Sequence, residues 1–101
     1  MKRLEQLKTM IIESPDDPFL IYGLALEYRN VDLFKAKEVF DDLLERFPDY
    51  LPTYYQSANL YEEIDEERAI DIYKKGMELA QSQKNMHAFG ELKSAYEILI
   101  Y

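Results

Sequence analysis

The chain contains no cysteine, so it has no disulfide framework, no thiolate metal site and no cysteine nucleophile. Its single histidine, His87, leaves no histidine pair to grip a metal, and no serine motif accompanies it as a partner for base catalysis. With only three glycines the sequence forms no phosphate loop and no dinucleotide fingerprint. The longest apolar stretch near the basic start is Met10-Ile11-Ile12, too short for a signal-peptide core or a membrane span. Cations are also scarce: 12 Lys and Arg stand against 20 Asp and Glu, for a formal charge of −8. Phosphate-rich nucleic acid and anionic membrane surfaces both call for clustered Lys and Arg, so neither is an expected partner. A neutral or basic protein surface is favoured instead. These absences leave a soluble, cytoplasmic protein with no cofactor and no metal as the simplest expectation.

What is present is a repeat. Across 101 residues, 48% hydrophobic and 32% charged, with three glycines and four prolines, the composition is that of one folded helical domain rather than a disordered tail. Sliding Asp16 onto Asp49, a shift of 49 − 16 = 33 residues, pairs Ile21 with Tyr54, Tyr22 with Tyr55, Ala25 with Ala58 and Tyr28 with Tyr61. The register continues through Asp32 and Asp65, Ala36 and Ala69, Val39 and Ile72, and Phe40 and Tyr73. Sliding backwards puts Leu7 under Phe40, Met10 under Leu43 and Pro15 under Pro48, which makes the N-terminus the second half of an earlier copy. Self-similarity at this period signals stacked supersecondary units that cannot bury their apolar faces alone.

Helical spacing and caps place six helices and no strand. Leu4, Leu7, Met10 and Ile11 form a stripe between Met1 and Ser14 that Pro15 stops. Asp16-Asp17-Pro18 supplies a capping carboxylate and a first-turn proline for a helix over 18–29, with Ile21, Leu24, Ala25 and Tyr28 inward. Asp32 caps the next helix, whose inner side is Ala36, Val39, Phe40, Leu43 and Phe47, and Pro48 closes it. The second copy opens at Asp49-Tyr50-Leu51-Pro52, with Tyr54, Ser57, Ala58 and Tyr61 as its first inner face. Asp65 caps a fifth helix bearing Ala69, Ile72, Tyr73, Gly76 and Ala80, where Gly76 suggests close helix approach. Asn85 caps a last helix to Ile100 with Phe89, Leu92, Tyr96 and Leu99 as its stripe. Short connections force neighbours antiparallel.

The alanines Ala25 and Ala58, the tyrosines Tyr28 and Tyr61, the alanines Ala36 and Ala69, the aromatics Phe40 and Tyr73 and the closing Pro48 together resemble tetratricopeptide repeats. The resemblance implies an all-α solenoid of antiparallel helix hairpins, wound as a right-handed superhelix. It covers nearly the whole chain as one domain, residues 1–101: a half-repeat at 1–15, repeats at 18–50 and 51–83, and a capping helix at 85–100. The chain departs from the family pattern in its shorter period, against roughly 34 residues. It also lacks glycine in the turn inside each repeat and has Gln81 where a second closing proline would stand.

The resemblance further implies that the first helix of each pair lines a concave wall, which places Tyr22, Leu26 and Arg29 with Tyr55, Asn59 and Glu62 on it. The expected function is non-enzymatic binding of a protein or peptide segment there, with Tyr22 and Tyr55 as anchors. The opposing reading is that one or both tyrosines pack between repeats. Some members clamp a C-terminal carboxylate with Lys, Asn and Arg; of the matching positions here only Asn59 agrees, so that clamp is not expected. The run Glu62-Glu63-Ile64-Asp65-Glu66-Glu67 reads as a solvated interhelical turn, with no EF-hand spacing. His87 reads as a surface histidine on the face of Glu91 and Ser94. The alternative function is a structural or self-associating subunit stacking through its terminal helices, with Ile12, Ile100 and Tyr101 as its apolar residues. An acidic hydrolase is the third reading, although nothing places two carboxylates in a shared apolar pocket.

Overall fold

Among residues 2–101, which the computed structural model describes, the chain forms six α-helices and no strand. They are α1 (Lys2–Glu13), α2 (Pro18–Arg29), α3 (Leu33–Arg46), α4 (Pro52–Tyr61), α5 (Glu66–Ser82) and α6 (Met86–Ile100). Their contacts divide the chain into two compact units, Met1–Tyr50 and Leu51–Tyr101.

The helix starts follow from local chemistry. Of the paired aspartates before α2, Asp17 is the cap: its carboxylate accepts the Phe19 N–H at 3.0 Å, and Pro18 occupies the first turn. Asp16 instead accepts Arg46 Nη2 at 2.9 Å. Asp32 and Asp65 cap α3 and α5 alike, accepting the backbone N–H three residues on, at 3.2 Å in both cases. Asn85 does the same for Ala88 at 3.0 Å. Each such cap satisfies an N–H that has no intrahelical partner and contributes about 1 kcal/mol. α4 differs, since it starts on Leu51-Pro52 with no side-chain cap.

In the first unit α2 packs against both α1 and α3. Ile21 and Ala25 of α2 and Ala36, Phe40 and Leu43 of α3 are buried. Gly23 faces α1, where a Cβ would make ordinary van der Waals contact with Leu7 Cδ2 at 3.4 Å. The α1 stripe is narrower than its spacing suggests. Leu7 is buried, Leu4 and Ile11 are half-buried, and Met10 is exposed. Val39 and Phe47, expected inward on α3, are only half-buried. Arg46 ties the two ends of the α2–α3 hairpin together, donating to the Pro15 carbonyl and to Asp16 and Asp42, with its guanidinium over the Phe47 ring.

In the second unit α5 is the central helix, packed on both α4 and α6. Ala69, Ile72, Tyr73, Gly76 and Ala80 form its buried side, joined by Tyr54, Ala58 and Tyr61 of α4 and Leu92 of α6. At Gly76 the three helices are in close approach: a Cβ placed there would stand 2.8 Å from Tyr54 Cβ and 3.2 Å from both Leu92 Cδ atoms. No side chain larger than hydrogen fits without moving a helix.

The α5 end forms a Schellman turn, with Asn85 N–H donating to the Ala80 carbonyl at 2.9 Å and Lys84 N–H to that of Gln81 at 3.0 Å. Lys84 holds the left-handed position of this turn at φ 59°. A lysine there carries a steric cost that glycine would not.

Candidate functional site

Three of the residues assigned to a binding wall, Tyr55, Asn59 and Glu62, lie along one side of α4 and its C-cap and line a cleft facing α6. Two adjacent rows of α6 form the other wall. Met86, Gly90, Ser94 and Ile98 make one row at four-residue spacing, and His87, Glu91 and Ala95 make the second. The cleft has a volume of about 730 Å³ and is open to solvent. That falls in the range of ligand-sized concavities. Its separation is set by α5, because α4 and α6 both close on Gly76.

Tyr73 of α5 supports the α4 wall from within. Its ring is fully buried and meets the Tyr55 ring edge to face, with centroids 6.4 Å apart. Its hydroxyl donates a short hydrogen bond to Glu62 Oε2, and the Asn59 side chain is a further hydrogen-bond partner of that hydroxyl. Burial, then the Glu62 carboxylate, pushes the Tyr73 phenol well above its ordinary range. One hydroxyl therefore engages Glu62 and Asn59 while its ring backs Tyr55. Glu62 is half-buried in consequence, so the acidic run is not uniformly a solvated turn. Asp65, Glu66 and Glu67 do behave as expected of a cap and a first helical turn.

The first copy lacks this arrangement. At the positions 33 residues earlier stand Phe40 for Tyr73, Leu26 for Asn59 and Arg29 for Glu62. Phe40 carries no hydroxyl, so no polar network can form on it. Tyr22, the counterpart of Tyr55, packs edge to face on Tyr50 at 5.8 Å within its own unit. Burial and then the neighbouring Tyr50 push its phenol up. Tyr22, Leu26 and Arg29 are all half-buried on α2.

Sequence reasoning missed the α6 wall. Phe89, Leu92, Tyr96 and Leu99 turn toward α5, with Leu92 buried and the others half-buried, as their stripe requires. The rows beginning at Met86 and His87 form a second face, signalled in the sequence by His87, Glu91 and Ser94 sharing one side of the helix and by Met86, Gly90 and Ile98 recurring at multiples of four. His87 is 88% exposed and sits 3.3 Å from Glu91, an ion pair when the imidazole is protonated. Among the described residues, no group of three or more His, Cys, Asp or Glu is placed to hold a metal, and no helix is long and apolar enough to cross a membrane.

Consecutive helix hairpins with matching interiors define a helical-repeat protein-interaction fold, a class typically non-enzymatic. No family model matches the sequence, and no curated protein matches it either. Solved structures do match. A tetratricopeptide repeat domain protein from Salinibacter ruber, solved by solution NMR, is 37% identical over 84% of this chain and 88% of its own, with a TM-score of 0.79. A crystal structure of a tetratricopeptide repeat domain protein from the same organism is 36% identical over 82% of this chain and 96% of its own, with a TM-score of 0.77. The chain belongs to the tetratricopeptide repeat family.

Proposed function

We propose that this protein is a non-enzymatic binding module that docks a segment of another protein on the wall lined by the first helix of each hairpin, with the α4–α6 cleft as its principal seat. In this reading 18–50 and 51–83 act as two repeats, 1–15 as a half-repeat and 85–100 as the cap. The observation that carries it is the convergence of Tyr55, Asn59 and Glu62 on one cleft, with the last two fixed from beneath by a buried hydroxyl. Rigid positioning lowers the entropy lost on docking. Tyr55, 38% exposed at the cleft, presents a large apolar ring with a polar tip. On α2, Tyr22, Leu26 and Arg29 contact the partner in the same reading.

The test is selection of peptides from a displayed library on the immobilised protein, followed by binding to variants. Tyr55→Ala is expected to weaken the selected peptides by about tenfold or more, as interface aromatics do, with far-UV circular dichroism unchanged. Tyr22→Ala is the less clean probe, because it also removes packing on Tyr50. Undiminished binding by Tyr55→Ala counts against the cleft.

Self-association is the second reading, favoured by Ile12 at 80% exposure and Tyr101 at 94%. Light scattering across concentration separates the two, since a strict monomer at high concentration excludes it.

A further inference from the structure

We propose that the α4–α6 cleft selects a cationic segment, with a Lys or Arg side chain meeting the carboxylates of Glu62 and Glu91 and adjoining aliphatic side chains resting on Met86, Ala95 and Ile98. This inference rests on the cleft being the docking surface and adds the chemistry of the occupant.

Charge complementarity points first. Among the described residues that line the cleft, Glu62 and Glu91 are the carboxylates, and no Lys or Arg is present. Glu62 is half-buried and already held at one oxygen by Tyr73, so an incoming cation meets an ordered acceptor with further lone pairs to offer. Partial burial strengthens that attraction relative to a fully solvated pair.

Gly90 is the independent observation. It sits inside α6, where glycine costs about 1 kcal/mol relative to alanine. A Cβ built there meets no atom within 4 Å, so the fold gains nothing from the missing side chain. Gly76 has a packing reason; Gly90 does not. What Gly90 leaves is open floor in the cleft, where an occupant can approach the helix backbone. Met86 and Ile98 flank it at 62% and 81% exposure, apolar area that pairs with aliphatic groups and not with an isolated ion. A second copy of the chain is the less suitable occupant, because it brings another formal charge of −8 to an acidic cleft.

The test titrates the full chain, by fluorescence anisotropy, into two labelled amphipathic peptides of equal length, one of Leu and Lys and one of Leu and Glu. The Leu/Lys peptide is expected to bind about tenfold tighter or better. Glu62→Gln with Glu91→Gln should weaken it by about tenfold and flatten its salt dependence. A control pair outside the cleft, Glu13→Gln with Glu38→Gln, removes the same net charge and should leave affinity within about twofold. Gly90→Leu, which enters open space, should block binding with helicity retained. Equal loss in the control pair means attraction to the whole acidic protein and overturns the proposal, as does failure of both peptides to bind. Preference for the Leu/Glu peptide, still blocked by Gly90→Leu, overturns the cationic specificity while sparing the cleft. Leu/Lys binding indifferent to both Gly90→Leu and Tyr55→Ala overturns the cleft itself. A peptide-free dimer abolished by Gly90→Leu makes a second copy the occupant and overturns the proposal.

Discussion

Adding a single methyl group at Gly76 should destabilise the protein, whereas the same change at Gly90 should stabilise it. Both glycines lie inside helices, so each Gly→Ala substitution gains about 1 kcal/mol of helix propensity. At Gly76 the new Cβ would lie 2.8 Å from Tyr54 Cβ, an atom bonded directly to the α4 backbone that cannot rotate aside. The Leu92 methyls at 3.2 Å can yield by changing rotamer, but relief on the α4 side means shifting the helix. Overpacking of this kind costs about 1–3 kcal/mol, and a contact with no flexible end belongs in the upper part of that range. The net effect of Gly76→Ala is therefore a loss of about 1–2 kcal/mol. At Gly90 there is no opposing contact, and the full propensity gain of about 1 kcal/mol remains. For a chain of this length each kcal/mol moves the melting temperature by about 4–8 °C, so the variants should fall on opposite sides of the parent by an easily measured margin. Urea unfolding followed at 222 nm gives both free energies. Equal stability of Gly76→Ala and the parent would refute the close approach of α4, α5 and α6. A destabilised Gly90→Ala would refute the open space over α6.

Lys84→Gly should stabilise the chain by about 1 kcal/mol in the same urea experiment, because it relieves the left-handed backbone in the turn after α5; a destabilised variant would contradict that turn. Tyr73→Phe should cost about 1–3 kcal/mol at neutral pH through loss of the hydrogen bond to the Glu62 carboxylate. It should also change the alkaline behaviour. The folded-state phenol is raised above its ordinary value of 10.0, so the native state keeps a proton that the unfolded chain releases. Stability from this group is complete below about pH 10 and declines as pH rises from there toward the folded value. Urea midpoints from pH 8 to 11 should therefore fall less steeply in Tyr73→Phe, with the residual slope carried by Tyr22 and Tyr50, whose phenols are also raised. Identical slopes would contradict the buried Tyr73 environment.

The parts of the fold that could be read from sequence are those governed by short-range chemistry. Asp17, Asp32, Asp65 and Asn85 cap helices because their side chains reach N–H groups two or three residues away, and no tertiary information is needed to see it. The alanines of each copy and Gly76 were legible because internal repetition separates packing positions from surface ones. Legibility fell where a residue answers to distant partners. Met10 matches Leu43 by register yet is exposed, since α1 packs only its Leu7 side onto α2. Glu62 sits in an acidic run whose composition suggests solvent, and only the depth of Tyr73 below it reveals otherwise. The α6 wall lies outside the repeat, so no second copy marked its outer rows. Lys84 carries none of the glycine or asparagine signal that announces a left-handed turn.

The contrast between Phe40 and Tyr73 has a practical consequence for anyone building with such hairpins. The two rings fill equivalent interiors, and both are completely buried. The oxygen at the far end of the Tyr73 ring tethers the acid at the α4 C-cap, an anchor that Phe40 cannot offer at the equivalent positions, Leu26 and Arg29. Recognition chemistry can thus be written into one hairpin from its interior, with the scaffold's hydrocarbon packing kept and the neighbouring hairpin left blank.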